Sequence, residues 1–320
     1  MIAKNYKLEI VMQNLVKELF NNMENKKIIG LTTCHNRKQL TLNCLRSLDK
    51  QELPPQCKLE ICLVDDGCSD GTGNAVKTEF PDATVLKGDG NLFWAGGMRF
   101  GWYNYVCHQN WDWLLVFNDD IELYPKALLN MLSTAKILEE KEECYKYAIA
   151  GAFLDPITKE TSYGGVIKDC WWYPVKTSKI TPNGIYQECD SLNMNCALIS
   201  SNAINSIGFL SSDFTHKRAD YDFGFRLTKN CGKVFLVSNY VGECSRNRDE
   251  KQTKIKKNIF KAWQEYVGIK GQNPKERMSF LKRHGGICWF IYWIIPYLIF
   301  FPKHYFLKIK NFHKNQKTLN

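Results

Sequence analysis

Three pairs of carboxylates stand where this chain could do chemistry. Residues 114–123 read LLVFNDDIEL: four apolar positions, Asn118, then adjacent Asp119 and Asp120. A short apolar run bounded by polar residues fits a buried strand of a parallel sheet. Ligands of open α/β sheets gather at the carboxyl ends of such strands. Two adjoining acids there repel each other unless positive charge lies between them, and a hard divalent cation suits carboxylate oxygen. The plainer reading makes one of them a cap for the helix after Pro125. The second pair, Asp65 and Asp66, precedes Gly67 and the turn SDGTG, and is taken with Thr33 and His35 from an earlier strand end. An aspartate there can accept from a base N–H, and a threonine can bind phosphate or a base edge. Alone, the pair would only shape a glycine turn. The third pair is Asp220 and Asp222 in ADYDFGFR. Two apart on a helix they diverge, so one can face a cleft while the other caps the helix or pairs with Arg226.

A rhythm of strands and helices must position these groups. The pattern predicts strands at 28–31, 59–64, 84–86, 114–117, 148–153 and 234–237, with LIS at 198–200 as a further strand. Helices are expected at 39–48, 74–80, 99–109, after Pro125, and at 221–229. Strand–helix alternation argues for a mostly parallel central sheet with right-handed crossovers, flanked by helices. The stretch 88–98, GDGNLFWAGGM, is rich in glycine, which permits close backbone approach or positive φ. It is neither GxGxxG nor a Walker loop. Arg99 after it is a candidate phosphate ligand, or else a surface arginine at a helix start. Residues 161–184 read as a long loop or small hairpins.

The 320 residues carry a formal charge of +10, with the positive excess largely in 251–261 and from 270 onward. That distribution points to an anionic surface or ligand. No RNP-like, zinc-finger or helix-turn-helix signature supports nucleic-acid binding. The thirteen cysteines form no Cys-x-x-Cys pair and read as buried free thiols of a reducing compartment. The polar opening, 1–27, lacks a signal-peptide pattern and predicts a helical extension on a cytoplasmic protein.

Taken together and in order, the motifs resemble the family 2 nucleotide-sugar glycosyltransferases, which have the GT-A fold. LVDDGCSDGT is similar to the family's second-strand motif VDDGSTDGT. NLFWAGGM resembles the N-L-G-F-A-G-G-N segment of a rhamnosyltransferase-like subgroup. FNDDIELYP resembles the acidic metal-binding strand end, and ADYDFGFR the E-D-x-D-L-x-x-R segment that carries the base. The resemblance spans roughly 28–245. It implies a GT-A domain over 28–250, with a nucleotide-binding half at 28–123 and an acceptor half at 124–250. It implies that Thr33, His35 and Asp66 contact base and ribose, with Asp66 reading the base. Asp120 would ligate Mg²⁺ or Mn²⁺ bridging the diphosphate, Asp119 would touch sugar or ribose, and Asp220 would be the catalytic base of an inverting transfer. The donor would be a nucleoside-diphosphate sugar, with dTDP-rhamnose as one candidate, and the acceptor a glycan or lipid-linked glycan. Three positions depart from the pattern. His35 replaces a common tyrosine, Ala219 a glutamate, and Cys244 stands where many members carry a metal-binding histidine. Glu243, or phosphate and water, would then complete the metal shell.

Residues 287–301, ICWFIYWIIPYLIFF, are free of charge but shorter than the ~20 residues of a spanning helix, and Pro296 would kink them. Basic and aromatic neighbours suit in-plane attachment at a membrane's inner face, with a buried helix or dimer contact as the plainer reading. Two other functions compete. A nucleotidyltransferase would need a glycine-rich basic loop after the first strand, which TTCHNRK matches only in part. A silent membrane scaffold would not need all three acids.

Overall fold

The computed structural model describes residues 25–245 and 258–302. The expected helix over 1–27 lies largely outside them. Lys26 and Lys27, assigned to it, belong to the first strand. The basic stretch 251–257 and the tail beyond 302 also lie outside.

The first half alternates as the pattern predicts. Strand β1 (Lys26–Cys34) leads to α1 (Lys38–Asp49), β2 (Cys57–Asp65) to α2 (Thr72–Glu79), and β3 (Thr84–Lys87) to α3 (Phe93–Asn104). Then come β4 (Trp113–Phe117), the short β5 (Glu122–Leu123) and α4 (Ala127–Lys141). The second half holds β6 (Tyr147–Leu154), four short strands β7 (Thr161–Tyr163), β8 (Gly165–Lys168), β9 (Thr177–Lys179) and β10 (Gln187–Cys189), β11 (Ser191–Leu192) and β12 (Cys196–Ser200). It ends with α5 (Ser201–Ile207), α6 (Ala219–Lys229) and β13 (Lys233–Glu243), and beyond 257 with α7 (Ile259–Val267), α8 (Pro274–His284) and α9 (Trp289–Leu298).

The main sheet has the order β10-β13-β6-β12-β4-β1-β2-β3, with β5 on β13 and β7 on β6. Strands β3, β2, β1 and β4 are mutually parallel, and β6 pairs parallel with β13. Strand β12 runs antiparallel between β4 and β6, and β10 antiparallel on the edge. A smaller sheet, β11-β8-β9, takes two strands from the segment expected as hairpins, while β7 from the same segment joins the main sheet.

Strand side chains alternate faces, so β4 feeds two cores. Trp113, Leu115 and Phe117 enter one with α1 and α4; Leu114 and Val116 enter the other with α3, α5, α6 and α8. Both faces being covered explains why the strand reads as an unbroken apolar run.

Helix α3 also departs from expectation. Helix α3 begins at Phe93, inside the glycine-rich stretch, and ends at Asn104, not 109. Glycine is a poor helix former, but here it lets the helix lie on the sheet. A Cβ at Gly97 would lie 2.4 Å from Thr33 Oγ1, and one at Gly101 2.4 Å from Leu31 Cδ1.

Candidate active site

The carboxyl ends of β1, β2 and β4 open onto a cleft of about 890 Å³. Its lining includes Thr33 and His35 at the end of β1, Asp66 after β2, Asp119 and Asp120 after β4, and Asp220 at the start of α6. Acids as far apart in the chain as Asp66 and Asp220 thus meet in one cavity.

Asp66 is buried, and its carboxylate accepts backbone N–H bonds from Gly90 at 2.9 Å, Leu92 at 3.1 Å and Phe93 at 3.2 Å. These bonds pin the turn that starts α3. His35 Nδ1 lies 2.6 Å from the Asp66 carbonyl, tying the two strand ends together. Thr33 Oγ1 donates to the Val64 carbonyl at 3.3 Å.

Asp119 is buried, and Asp120 lies beside it. The positive charge between them is a residue the sequence reading passed over: Arg37 Nη1 lies 3.0 Å from Asp120 Oδ2 and 3.3 Å from Asp119 Oδ1. Burial pushes the Asp119 carboxyl up to about 6, with Arg37 pulling it down and Asp120 pushing it up. The TTCHNRK turn held the signal for Arg37: a basic residue at the carboxyl end of a neighbouring strand.

Asp220 faces the cleft, and its Oδ1 accepts the Tyr221 N–H at 2.9 Å. Burial pushes its carboxyl up to about 6, against the pull of the Tyr221 N–H and the Asn193 side chain. It is therefore a stronger base than an ordinary aspartate, yet ionised at neutral pH. Asp222 turns away as the helical spacing requires. It is fully buried, with Arg226 at 2.8 Å, Arg283 at 3.0 Å and His284 at 2.9 Å. Its task is to fasten α6 to α8.

Residues 31–203 match the model of glycosyl transferase family 2. The chain belongs to that family. Its fold is similar to that of the mannosyltransferase PcManGT from Pyrobaculum calidifontis, solved in complex with GDP-Man and Mn²⁺. The two share 12% identity and a TM-score of 0.52, over 96% of this chain and 81% of the other. At that identity the likeness concerns fold alone, and the fold is GT-A. No curated protein matches. Family 2 membership sets aside the nucleotidyltransferase reading.

The acids suit the divalent cation expected of this family 2 enzyme. Asp120 Oδ1 is buried with no hydrogen-bond partner, an acceptor held open beside Asp119. Glu243 lies with its carboxylate 3.8 Å from Lys159 Nζ and against the Tyr124 hydroxyl. Cys244 is buried behind Asp120 and its thiol is pushed up to about 12 by burial and by the Asp120 charge, so it stays protonated. Arg99 stands outside the cleft lining. Its Nη1 donates to the carbonyls of Phe214 at 2.6 Å and Ser211 at 2.9 Å, which closes a loop.

Proposed function

We propose that this family 2 member moves a sugar from a nucleoside diphosphate to an acceptor hydroxyl with inversion. The convergence of Asp120 and Asp220 on one cleft carries the reading. Asp220 takes the proton of the acceptor hydroxyl as its oxygen bonds to the sugar carbon, and the bond from that carbon to the diphosphate oxygen breaks. A base on the far side from the leaving group gives a single displacement. Asp120, with Asp119, would hold Mg²⁺ or Mn²⁺, which when bound supplies Lewis-acid neutralisation of the departing diphosphate. Thr33 and His35 line the nucleotide end. The motif resemblance favours a dTDP-deoxyhexose such as dTDP-rhamnose as donor.

The working surface is a membrane's inner face, and the acceptor a lipid-linked glycan of surface polysaccharide or glycolipid assembly. Among the described residues no helix is long and apolar enough to cross a bilayer. Helix α9 instead docks through Trp293 Nε1 on the Pro274 carbonyl at 3.0 Å and Tyr297 OH on the Gln272 carbonyl at 2.8 Å. An apolar side faces outward, with Leu298 66%, Phe290 54% and Ile295 42% exposed. Trp171 and Trp172, also exposed, join it through the Tyr292 OH bond to the Trp172 carbonyl at 2.6 Å. Aromatic and aliphatic groups beside Lys282 and Arg283 suit the lipid–water boundary.

Thermal-shift titration with UDP-, GDP- and dTDP-sugars, with and without Mn²⁺, tests the donor assignment. The expected result is a metal-dependent rise with one nucleotide, lost in Asp120→Ala. Undiminished donor binding in EDTA would sink the metal role.

A further inference from the structure

The wall of the cleft next to Asp220 is cationic, and among the described residues its guanidinium groups are only partly paired. Arg218, two residues before Asp220, lines the cleft, and its Nη1 is buried without a hydrogen-bond partner. Its other terminal nitrogen donates to the Gln272 amide oxygen, which also accepts from Arg277 Nη1 at 3.2 Å. Two guanidinium groups thus share one neutral acceptor. Arg277 Nη2 goes to the Tyr292 carbonyl at 2.7 Å, the group that Pro296 leaves without a helical donor four residues on. Arg277 Nε is buried and unpartnered. Lys270, from the turn before α8, lines the same cleft with its Nζ 6.0 Å from the Phe93 ring centre. Among the described residues, no carboxylate forms an ion pair with Arg218, Lys270 or Arg277. Glu276, whose charge acts on Arg218 without a direct ion pair, accepts the Thr215 N–H on Oε1 at 3.1 Å and keeps Oε2 buried without a hydrogen-bond partner.

Buried charge without a partner is costly, and native proteins keep it where a ligand completes it. Arg218 also holds φ at +69°, a left-handed conformation that a non-glycine residue adopts at some cost. That backbone aims the side chain into the cleft in place of continuing α6. Guanidinium forks match phosphate oxygens in shape and charge.

We propose that Arg218, backed by Arg277 and flanked by Lys270, binds a phosphate group of the acceptor. Such a group could also come from the donor diphosphate. The donor's phosphates are assigned to the Asp119–Asp120 end, whereas Arg218 belongs to the segment that carries the base, where the acceptor hydroxyl must lie. Its tie through Arg277 to α9 sets the same wall against the helix assigned to the membrane. A phosphate-linked lipid acceptor fits both. This inference rests on the transfer reading of the site.

The test is calorimetric titration of the whole protein with two probes. The first is inorganic pyrophosphate without divalent metal, standing for the acceptor phosphate. The second is the preferred nucleoside diphosphate with Mn²⁺, standing for the donor. Wild type should bind both. Arg218→Gln and Lys270→Gln should each weaken pyrophosphate about tenfold, the loss of one charge-assisted contact, and leave the nucleotide unchanged. Lys270 is exposed, so its variant folds even if Arg218→Gln does not. The proposal is overturned if wild type does not bind pyrophosphate, or if the variants weaken the nucleotide instead. Failure of nucleotide binding in wild type would instead strike the transfer reading itself.

Discussion

The guanidinium of Arg37 lies 3.0 Å from the Asp120 carboxylate, where a divalent cation would otherwise supply the positive charge. Arg37 follows β1 and Asp120 follows β4, and the parallel pairing of those strands brings them together. Arg37 therefore holds the two acids together.

This relationship gives the first prediction. Arg37→Met should lower the metal-free melting temperature, by about 1 kcal/mol of stability, a small value because the Arg37 side chain is 46% exposed. Added Mn²⁺ should then stabilise the variant more than wild type, because the competing cation is gone. Equal Mn²⁺ increments by differential scanning fluorimetry would rule out competition between Arg37 and metal.

Asp220 gives the second. Its carboxyl is pushed up to about 6 by burial, so protons remove the base form as pH falls through 6. Transfer should be flat above that range and decline below it. Because the folded value lies above the unfolded one, folding favours the protonated form, and the stability this brings fades as pH rises through about 6. Asp220→Asn should thus hold or gain stability at pH 8 while losing ~10²–10⁴-fold in transfer rate, with donor still bound. Retained transfer in this variant would count decisively against the base assignment.

The outer face of α9 gives the third. Phe290→Glu combined with Leu298→Glu changes side chains that face away from α8. Flotation with phosphatidylglycerol vesicles should carry wild type upward and leave the double variant at the bottom, both with unchanged melting temperatures. A wild type that stays at the bottom and elutes as a dimer would assign the face to a second copy.

Much was legible because local rules and chain order suffice for it. The apolar run at 114–117 had to be a strand buried on both sides, and the acids after it had to sit at a sheet edge. The divergence of Asp220 and Asp222 followed from helical spacing, and Arg226 is the partner that spacing named. The ordered motifs carried the family and the GT-A fold, and with them the meeting of Asp66, Asp120 and Asp220 in one cleft.

Other features depend on contacts between segments far apart in the chain. Nothing local shows that Asp66 turns its carboxylate to the N–H groups of 90–93, or that Arg99 closes a loop at 211–214. The start of α3 at Phe93 was hidden because its glycines are poor helix formers in isolation. Only packing against Thr33 and Leu31 makes their missing side chains favourable. Likewise Arg37, Arg218 and Arg277 look like ordinary surface cations in the sequence. Sequence alone set which strands form and in what order they carry acids. Tertiary structure decided which charges meet, because electrostatic pairing depends on distance in space and on the water that burial removes.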